Sequence, residues 1–176
     1  IRMTHNPPAP ELLDLCDEQG ILVMDEFFDE WQIAKTANAY HKHFDEHALS
    51  DMRNVILRDR NHPSVIMWSI GNEIGEQKTQ DGWKIACKLN AEVHRIDSTR
   101  KTIVCCNCYP ECIDTKLAFY ADILGLNYKP HAYSKLKEKY PELLKEKYSI
   151  ENMIQKEGKT DYKINYETEK GRSWQN

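Results

Sequence analysis

Long apolar segments, an excess of basic charge and glycine-rich loops are all missing from this sequence. No apolar run approaches the roughly 18 residues that a membrane-spanning helix needs, so we predict no membrane partner. Lysine and arginine number 24 against 28 acidic residues, and the net charge of −4 argues against a nucleic-acid partner. No glycine-rich loop follows any predicted strand, which counts against a nucleotide-binding sheet.

The chain begins with Ile1 and has neither an initiator methionine nor a signal-like charged-then-apolar segment. We therefore expect an excised or truncated piece of a longer protein, whose localisation and oligomeric state the sequence leaves open. Its 176 residues are enough for one ordinary domain with a real core.

Six cysteines and seven histidines raise the question of a metal site. Four of the cysteines crowd into residues 105–112, but they lack the two paired C-x-x-C motifs of a zinc site, and adjacent cysteines suit disulfide geometry poorly. We expect free thiols there. His41, His43 and His47 are interleaved with charged residues, which is typical of a solvated helix face.

Apolar runs alternate with helical patterns along most of the chain. The runs that have the length and composition of buried strands are Ile21–Met24, Val65–Ile70, Thr102–Cys106 and Asp122–Tyr128. This alternation predicts a parallel α/β sheet, either doubly wound or closed as a (β/α)₈ barrel. Polar residues at several strand ends favour the barrel. A complete barrel takes roughly 250 residues, so we predict an incomplete (β/α)₈ TIM barrel.

Helices are predicted where apolar residues recur with a 3.6-residue period. The first begins in a proline-rich turn, ends before Gly20 and places Leu12 on its apolar face. The next two carry their apolar residues over 48–56 and 86–96, and a short helix is expected over 111–119.

The strongest chemical signal follows the Val65–Ile70 run, which ends in Gly71-Asn72-Glu73. An amide and a carboxylate thus stand together at the carboxyl end of a buried strand, where α/β folds bind their ligands. A partly desolvated carboxylate at this position suits proton transfer near neutral pH. The alternative is that Glu73 caps the following helix.

Three segments, Arg2–Pro8, Met24–Trp31 and Asn61–Ile74, together resemble the catalytic barrel of glycoside hydrolase family 2, which contains β-galactosidases, β-glucuronidases and β-mannosidases. The Gly-Asn-Glu ending and the Phe-Asp-Glu-Trp segment look most like the β-galactosidase branch. The resemblance covers residues 1–141, as about the second to sixth βα units of the barrel. Residues 142–176 are rich in lysine and glutamate and are predicted to be a divergent, irregular tail.

The resemblance implies a retaining glycosidase that cleaves terminal β-linked sugars with two carboxylates. Glu73 matches the family's acid/base. It implies β-galactosides as substrates, with β-glucuronides or β-mannosides as the alternative class. An inactive piece or a non-catalytic carbohydrate-binding remnant of the same family is the other alternative, and the activity of this chain alone stays open.

The resemblance also assigns substrate-binding residues. Asn72 matches the residue that holds the sugar's 2-hydroxyl, and Arg2 matches an arginine that keeps the nucleophile ionised. His5 matches a sugar-contacting histidine, and Tyr128 matches a tyrosine that hydrogen-bonds the nucleophile. Glu30 lies where some members place a substrate-site or metal-ligand glutamate.

Two departures from the family pattern stand out. The usual histidine two residues after Glu30 is here Gln32, so we predict no cofactor, and a divalent metal near Glu30 and Glu73 is in doubt. In the family the nucleophile follows a Tyr-Pro pair and ends a short strand with a Ser-Glu-type motif. The residues after Tyr140-Pro141 do not match this motif. Glu151 and Glu167 are the nearest candidates, and neither ends an apolar strand.

Overall fold

The computed structural model describes residues 1–140, in which helices alternate with strands. The helices are α1 (Pro10–Gln19), α2 (Phe44–Asp59), α3 (Gly82–Ile96), α4 (Glu111–Asp114) and α5 (Ala132–Lys139). The strands are β1 (Val23–Glu26), β2 (Val65–Asn72), β3 (Lys101–Cys106) and β4 (Ile123–Leu126). Short 3₁₀ turns cover Tyr40–Lys42, Gly75–Lys78 and Leu117–Phe119. The predicted tail over 142–176 lies outside the described residues.

The four strands form one sheet in the order β1-β2-β3-β4, and every neighbouring pair is parallel. Arg2 makes a further parallel bridge to Met24, so the first residues run beside β1. Parallel neighbours need crossover connections, and helices supply most of them here. All strands therefore end at the same edge of the sheet, as the sequence pattern predicts.

β2 lies inside the sheet and is buried on both faces. Met67, Trp68 and Ile70 are at most 2% exposed. The Trp68 ring stacks on Phe27 with 5.5 Å between ring centroids, and its indole N–H donates to Asp97 Oδ2 over 3.0 Å. Full burial of a large apolar side chain contributes about 1.5–3 kcal/mol, so this strand anchors the core.

A buried polar network fastens α3 to β3 and to the start of β4. His94 Nε2 donates to Asp122 Oδ2 over 2.7 Å, and the Thr102 N–H donates to the same oxygen over 2.9 Å. The Thr102 hydroxyl also donates to Asn90 Oδ1. Burial alone would raise the pKa of Asp122, but the hydrogen bond and charge of His94 outweigh burial and lower that pKa below its ordinary value.

A second buried carboxyl group lies between β1 and α2. Asp25 is fully buried beside Asp59, whose carboxylate accepts two hydrogen bonds from Arg58 over 2.6 and 2.7 Å. Burial and the charge of the nearby Asp59 carboxylate raise the pKa of Asp25 to about 8. Asp25 therefore carries a proton at neutral pH. Arg58 also donates to the Pro8 carbonyl over 2.8 Å, which ties the first segment to α2.

The predicted strand start at Ile21 was wrong, because β1 begins at Val23. Ile21 and Leu22 are 38% and 50% exposed. The backbone of Gly20 is left-handed, with φ of 66°, and the Ile21 N–H donates to the Cys16 carbonyl over 2.9 Å. This is a Schellman cap, so the local backbone terminates α1 instead of opening a strand.

Two helix predictions also needed correction. Leu12, placed on the apolar face of α1, is 38% exposed, because the helix rests on a narrower stripe that contains Leu13 and Cys16. The single helix expected over 111–119 is divided into α4 and a 3₁₀ turn, since Lys116 between them has a left-handed backbone with φ of 67°.

Candidate active site

Polar side chains gather where the parallel strands end. They come from the segment beside β1, from the last residues of β1 and β2, and from residues directly after the strands. We call this set the edge cluster; its members are Arg2, His5, Glu26, Asn72, Glu73, Asn107 and Asn127. The carboxyl edge of parallel strands is where α/β folds place ligand sites.

Glu73 directly follows β2, and both of its carboxylate oxygens accept hydrogen bonds. Asn107 Nδ2 donates to Oε2 over 2.9 Å, and Asn127 Nδ2 donates to Oε1 over 2.7 Å. The Glu73 N–H donates to the Cys105 carbonyl over 2.7 Å, and its φ of 47° is left-handed. Such a backbone costs about 1–3 kcal/mol in a non-glycine residue and clusters at functional sites. The half-buried side chain is thus held in one orientation.

Asn72 links Glu73 to the rest of the edge cluster. Its Oδ1 accepts from Arg2 Nη2 over 2.6 Å and from Asn127 Nδ2 over 2.9 Å. Its Nδ2 donates to Asp29 Oδ1 over 3.0 Å. An amide oxygen accepts about two hydrogen bonds, so the orientation of this buried amide is fixed and its second N–H remains to donate.

Glu26, at the end of β1, is fully buried and joins two other members of the cluster. Arg2 Nε donates to Oε1, and His5 Nδ1 donates to Oε2 over 2.7 Å. Burial disfavours the Arg2 cation, but the hydrogen bond and charge of Glu26 outweigh burial and raise the pKa of Arg2, so its charge persists. With Nδ1 engaged, His5 presents Nε2 as its second ring nitrogen.

The loop after β1 folds against the same edge. Lys35 Nζ donates to Asp29 Oδ1 over 2.6 Å and to the Asn72 carbonyl over 2.8 Å. Burial alone would raise the pKa of Asp29, but hydrogen bonds from Lys35 and Asn72 outweigh it and lower that pKa. A cavity of about 330 Å³ lies between this loop and α2, and its lining includes Asn6, Asp29, Lys35 and Tyr40.

Glu30 does not fit the metal site that some family members have. Its Oε1 accepts from the N–H and the ring Nδ1 of His41 over 2.7 and 2.8 Å, and its Oε2 accepts from the Lys35 N–H over 2.7 Å. Gln32 donates outward to Asp45. Both Glu30 oxygens are thus occupied by donors, and residues 1–140 hold no cluster of three or more His, Cys, Asp or Glu side chains placed to bind a metal.

The structure also describes the cysteines and the lengths of the helices. All six cysteines are free thiols. Within residues 1–140 no helix is both long enough and apolar enough to cross a membrane.

Two predicted site residues in the described part of the chain, Glu30 and Tyr128, lie outside the edge cluster. Tyr128 follows β4 at the same edge, but its side chain is 78% exposed and does not join the hydrogen bonds of the cluster in residues 1–140. Glu151, the candidate nucleophile, and its alternative Glu167 lie outside the described residues, so their roles stay predictions.

The sequence patterns did not single out Asn107 or Asn127, although these amides make the two hydrogen bonds to Glu73. Both are polar residues directly after an apolar run, which is the signal that identified Asn72. Glu26 holds the side chains of Arg2 and His5 at this edge through its two carboxylate oxygens.

Comparison with known proteins identifies the fold and the family. Residues 1–172 match the family described as "Glycosyl hydrolases family 2, TIM barrel domain". The chain belongs to this family. The crystal structure of a glycosyl hydrolase family 2 member from Bacteroides cellulosilyticus has a TM-score of 0.76 at 38% identity, covering 80% of this chain and 18% of that chain. The predicted incomplete (β/α)₈ TIM barrel is thereby confirmed.

Curated relatives in glycoside hydrolase family 2 match shorter stretches. "Beta-galactosidase BoGH2A" of Bacteroides ovatus is 64% identical over 77 residues, which are 44% of this chain and 9% of that protein. A "Putative beta-glucuronidase" of Formosa agariphila is 51% identical over 74 residues, which are 42% of this chain and 7% of that protein. The matched stretches thus cover less than a tenth of either relative.

Proposed function

We propose that this chain supplies the acid/base carboxylate of a retaining glycosidase that cleaves terminal β-linked sugars, with β-galactosides as the substrate class. The observation that supports this proposal is the position of Glu73. It stands at the carboxyl edge of the sheet, with an amide donor on each oxygen and Asn72 beside it. A glycosidic oxygen is a poor leaving group unless it is protonated, so a fixed carboxylic acid beside it is the first requirement of the reaction.

In the first step Glu73 gives its proton to the glycosidic oxygen while a second carboxylate attacks the anomeric carbon from the opposite face. In the second step the ionised Glu73 takes a proton from the water that breaks the glycosyl–enzyme bond. Retention requires the two carboxyl groups to lie about 5–5.5 Å apart. We propose Glu151 as the second carboxylate, in line with the sequence prediction.

The remaining members of the cluster have binding roles in this proposal. Asn72 offers the free N–H of its amide to the sugar's 2-hydroxyl, a contact that strengthens in the oxocarbenium-like transition state. Arg2 and Asn127 hold that amide in place. His5 offers Nε2 to another sugar hydroxyl, because Nδ1 is bound to Glu26.

The charges at the edge support a galactoside over a glucuronide as the substrate. A glucuronide carries a carboxylate that needs a cation. In the described part of the chain, the two cations that bond to the edge cluster already have carboxylate partners, Glu26 for Arg2 and Asp29 for Lys35. A neutral sugar needs no such cation. The name of the Bacteroides ovatus relative agrees with this preference.

The test is Glu73→Gln in a complete barrel that carries this chain, assayed on a β-galactoside with an unactivated leaving group. The variant should lose about 10²- to 10⁴-fold in turnover, the range attributed to general acid catalysis. The matched control is Glu76→Gln, the same change in a buried carboxyl group that bonds the Ile33 N–H and lies outside the edge cluster. If Glu73→Gln is as active as Glu76→Gln, Glu73 does not act as the acid/base.

A further inference from the structure

Gln77 is a buried residue close to the edge cluster that the proposed mechanism does not use. It lies in the 3₁₀ turn Gly75–Lys78 and is 2% exposed. Its backbone is fixed as well, because its N–H donates to the Ile74 carbonyl over 3.3 Å and its carbonyl accepts from the Thr115 hydroxyl over 3.0 Å.

The side-chain amide of Gln77 forms hydrogen bonds with both the side chain and the backbone of Asn107. Gln77 Nε2 donates to Asn107 Oδ1 over 2.7 Å. Gln77 Oε1 accepts from the backbone N–H groups of Asn107 and Cys108 over 3.1 and 3.0 Å. Gln77 thus contacts both the backbone and the side chain of the residue that bonds to Glu73.

The hydrogen bond from Gln77 to Asn107 Oδ1 determines which end of the Asn107 amide faces Glu73. An amide side chain presents oxygen on one side and NH₂ on the other, and the two ends differ only in their hydrogen bonds. Since Oδ1 is engaged by Gln77, the NH₂ group faces Glu73 Oε2. A flipped amide would place oxygen against the Glu73 carboxylate and NH₂ against Gln77 Nε2, so both contacts would become repulsive. The Cys108 thiol also approaches Oδ1, over 3.3 Å, but a thiol is a weak donor.

We propose that Gln77 is a positioning residue that acts through Asn107 and keeps an amide N–H, not an amide oxygen, turned toward Glu73. The inference rests on the proposed acid/base role of Glu73. Gln77 itself does not touch the substrate. It sets the orientation of the proton-donating group, and a misplacement of about 1 Å costs a catalytic group about 10²-fold.

The decisive variant is Gln77→Glu in a complete barrel that carries this chain. An ionised carboxylate still accepts from the two backbone N–H groups, but it cannot donate to Asn107 Oδ1, so the Asn107 amide flips. We expect kcat/KM on an unactivated β-galactoside to fall about 10²-fold. On an aryl β-galactoside whose leaving group needs no proton, we expect a loss of less than about tenfold. The loss should shrink at low pH, where the introduced acid becomes protonated and can donate again.

Three controls make the result specific. Gln80→Glu is the same substitution at an exposed position nearby and should change neither substrate's kcat/KM. In an Asn107→Ala background, Gln77→Glu should add little, because a residue that acts through Asn107 has nothing left to position. If Gln77→Glu fails to fold, Gln77→Met removes the donor to Asn107 Oδ1 without adding a charge and should show a substrate-selective loss in the same direction.

The outcomes separate the two proposals. If Glu73→Gln loses activity selectively on the unactivated substrate while Gln77→Glu lowers both substrates equally or neither, the positioning role is overturned and the role of Glu73 stands. Full additivity in the Asn107→Ala background also overturns the positioning role. If Glu73→Gln itself shows no selective loss, the proposed function fails and the inference fails with it.

Discussion

Replacing Asp25 with asparagine should remove a large part of the pH dependence of stability. Asp25 is fully buried, and its pKa is raised to about 8 by burial and by Asp59. In the unfolded chain the same carboxyl group titrates near its ordinary value of 3.8. Between these pH values the folded state holds a proton that the unfolded state has released. The free energy of unfolding therefore falls as pH rises through this window.

The magnitude follows from the width of the window. Each pH unit within it costs about 1.4 kcal/mol, so the whole window amounts to about 6 kcal/mol as an upper bound. The asparagine side chain introduced by Asp25→Asn would have no proton to release at any pH. Between about pH 5 and pH 7.5, the stability of Asp25→Asn relative to the wild type should therefore rise by about 3 kcal/mol.

The assay is urea unfolding followed by tryptophan fluorescence across that pH range. Glu18→Gln makes the same kind of change in an exposed carboxyl group of α1 and should leave the pH dependence as it is. If Asp25→Asn and the wild type lose stability in parallel as pH rises, Asp25 is not protonated in the folded state, and the reasoning is refuted.

Two further predictions concern stability. Gly71→Ala should cost about 1–3 kcal/mol in urea unfolding, because its Cβ would lie 2.9 Å from Nε1 of the fully buried Trp31 ring; an unchanged midpoint would contradict this packing. Asp122→Asn should destabilise the protein by about 1–3 kcal/mol at neutral pH, because it weakens the buried hydrogen bonds to His94 and Thr102. That cost should shrink as pH falls below about 4, since the lowered pKa of Asp122 stabilises the fold only while the group is ionised; a cost independent of pH would count against the ion pair.

The sequence was sufficient for the strands because burial on both faces leaves a plain apolar run. Val65–Ile70 has no polar alternation, and β2 contains it entirely. Local backbone chemistry was harder to predict. Ile21 and Leu22 are apolar enough for a strand, but α1 ends at Gly20 and the Ile21 N–H donates to the Cys16 carbonyl as part of the helix cap. Competition of this kind depends on backbone geometry, which hydrophobicity does not encode.

The candidate site also contains residues that could be predicted from the sequence and residues that could not. Glu73 and Asn72 follow an apolar strand directly, so their place at the edge could be predicted. Their partners could not, because Asn107 and Asn127 are 34 and 54 positions from Glu73 in the chain. Strand order and register bring these amides together, and a single sequence does not specify either. Gln77 carried no chemical signal, since its contacts arise only when the turn after Glu73 meets the segment after β3.

The proton-donating role of Glu73 is tested most directly by the dependence of kcat/KM on the leaving group. In a complete barrel that carries this chain, a series of aryl and alkyl β-galactosides would be compared between the wild type and Glu73→Gln. We expect the loss in the variant to grow steadily as the leaving group becomes more basic, because only basic leaving groups need the proton. A loss of the same size across the whole series would contradict it.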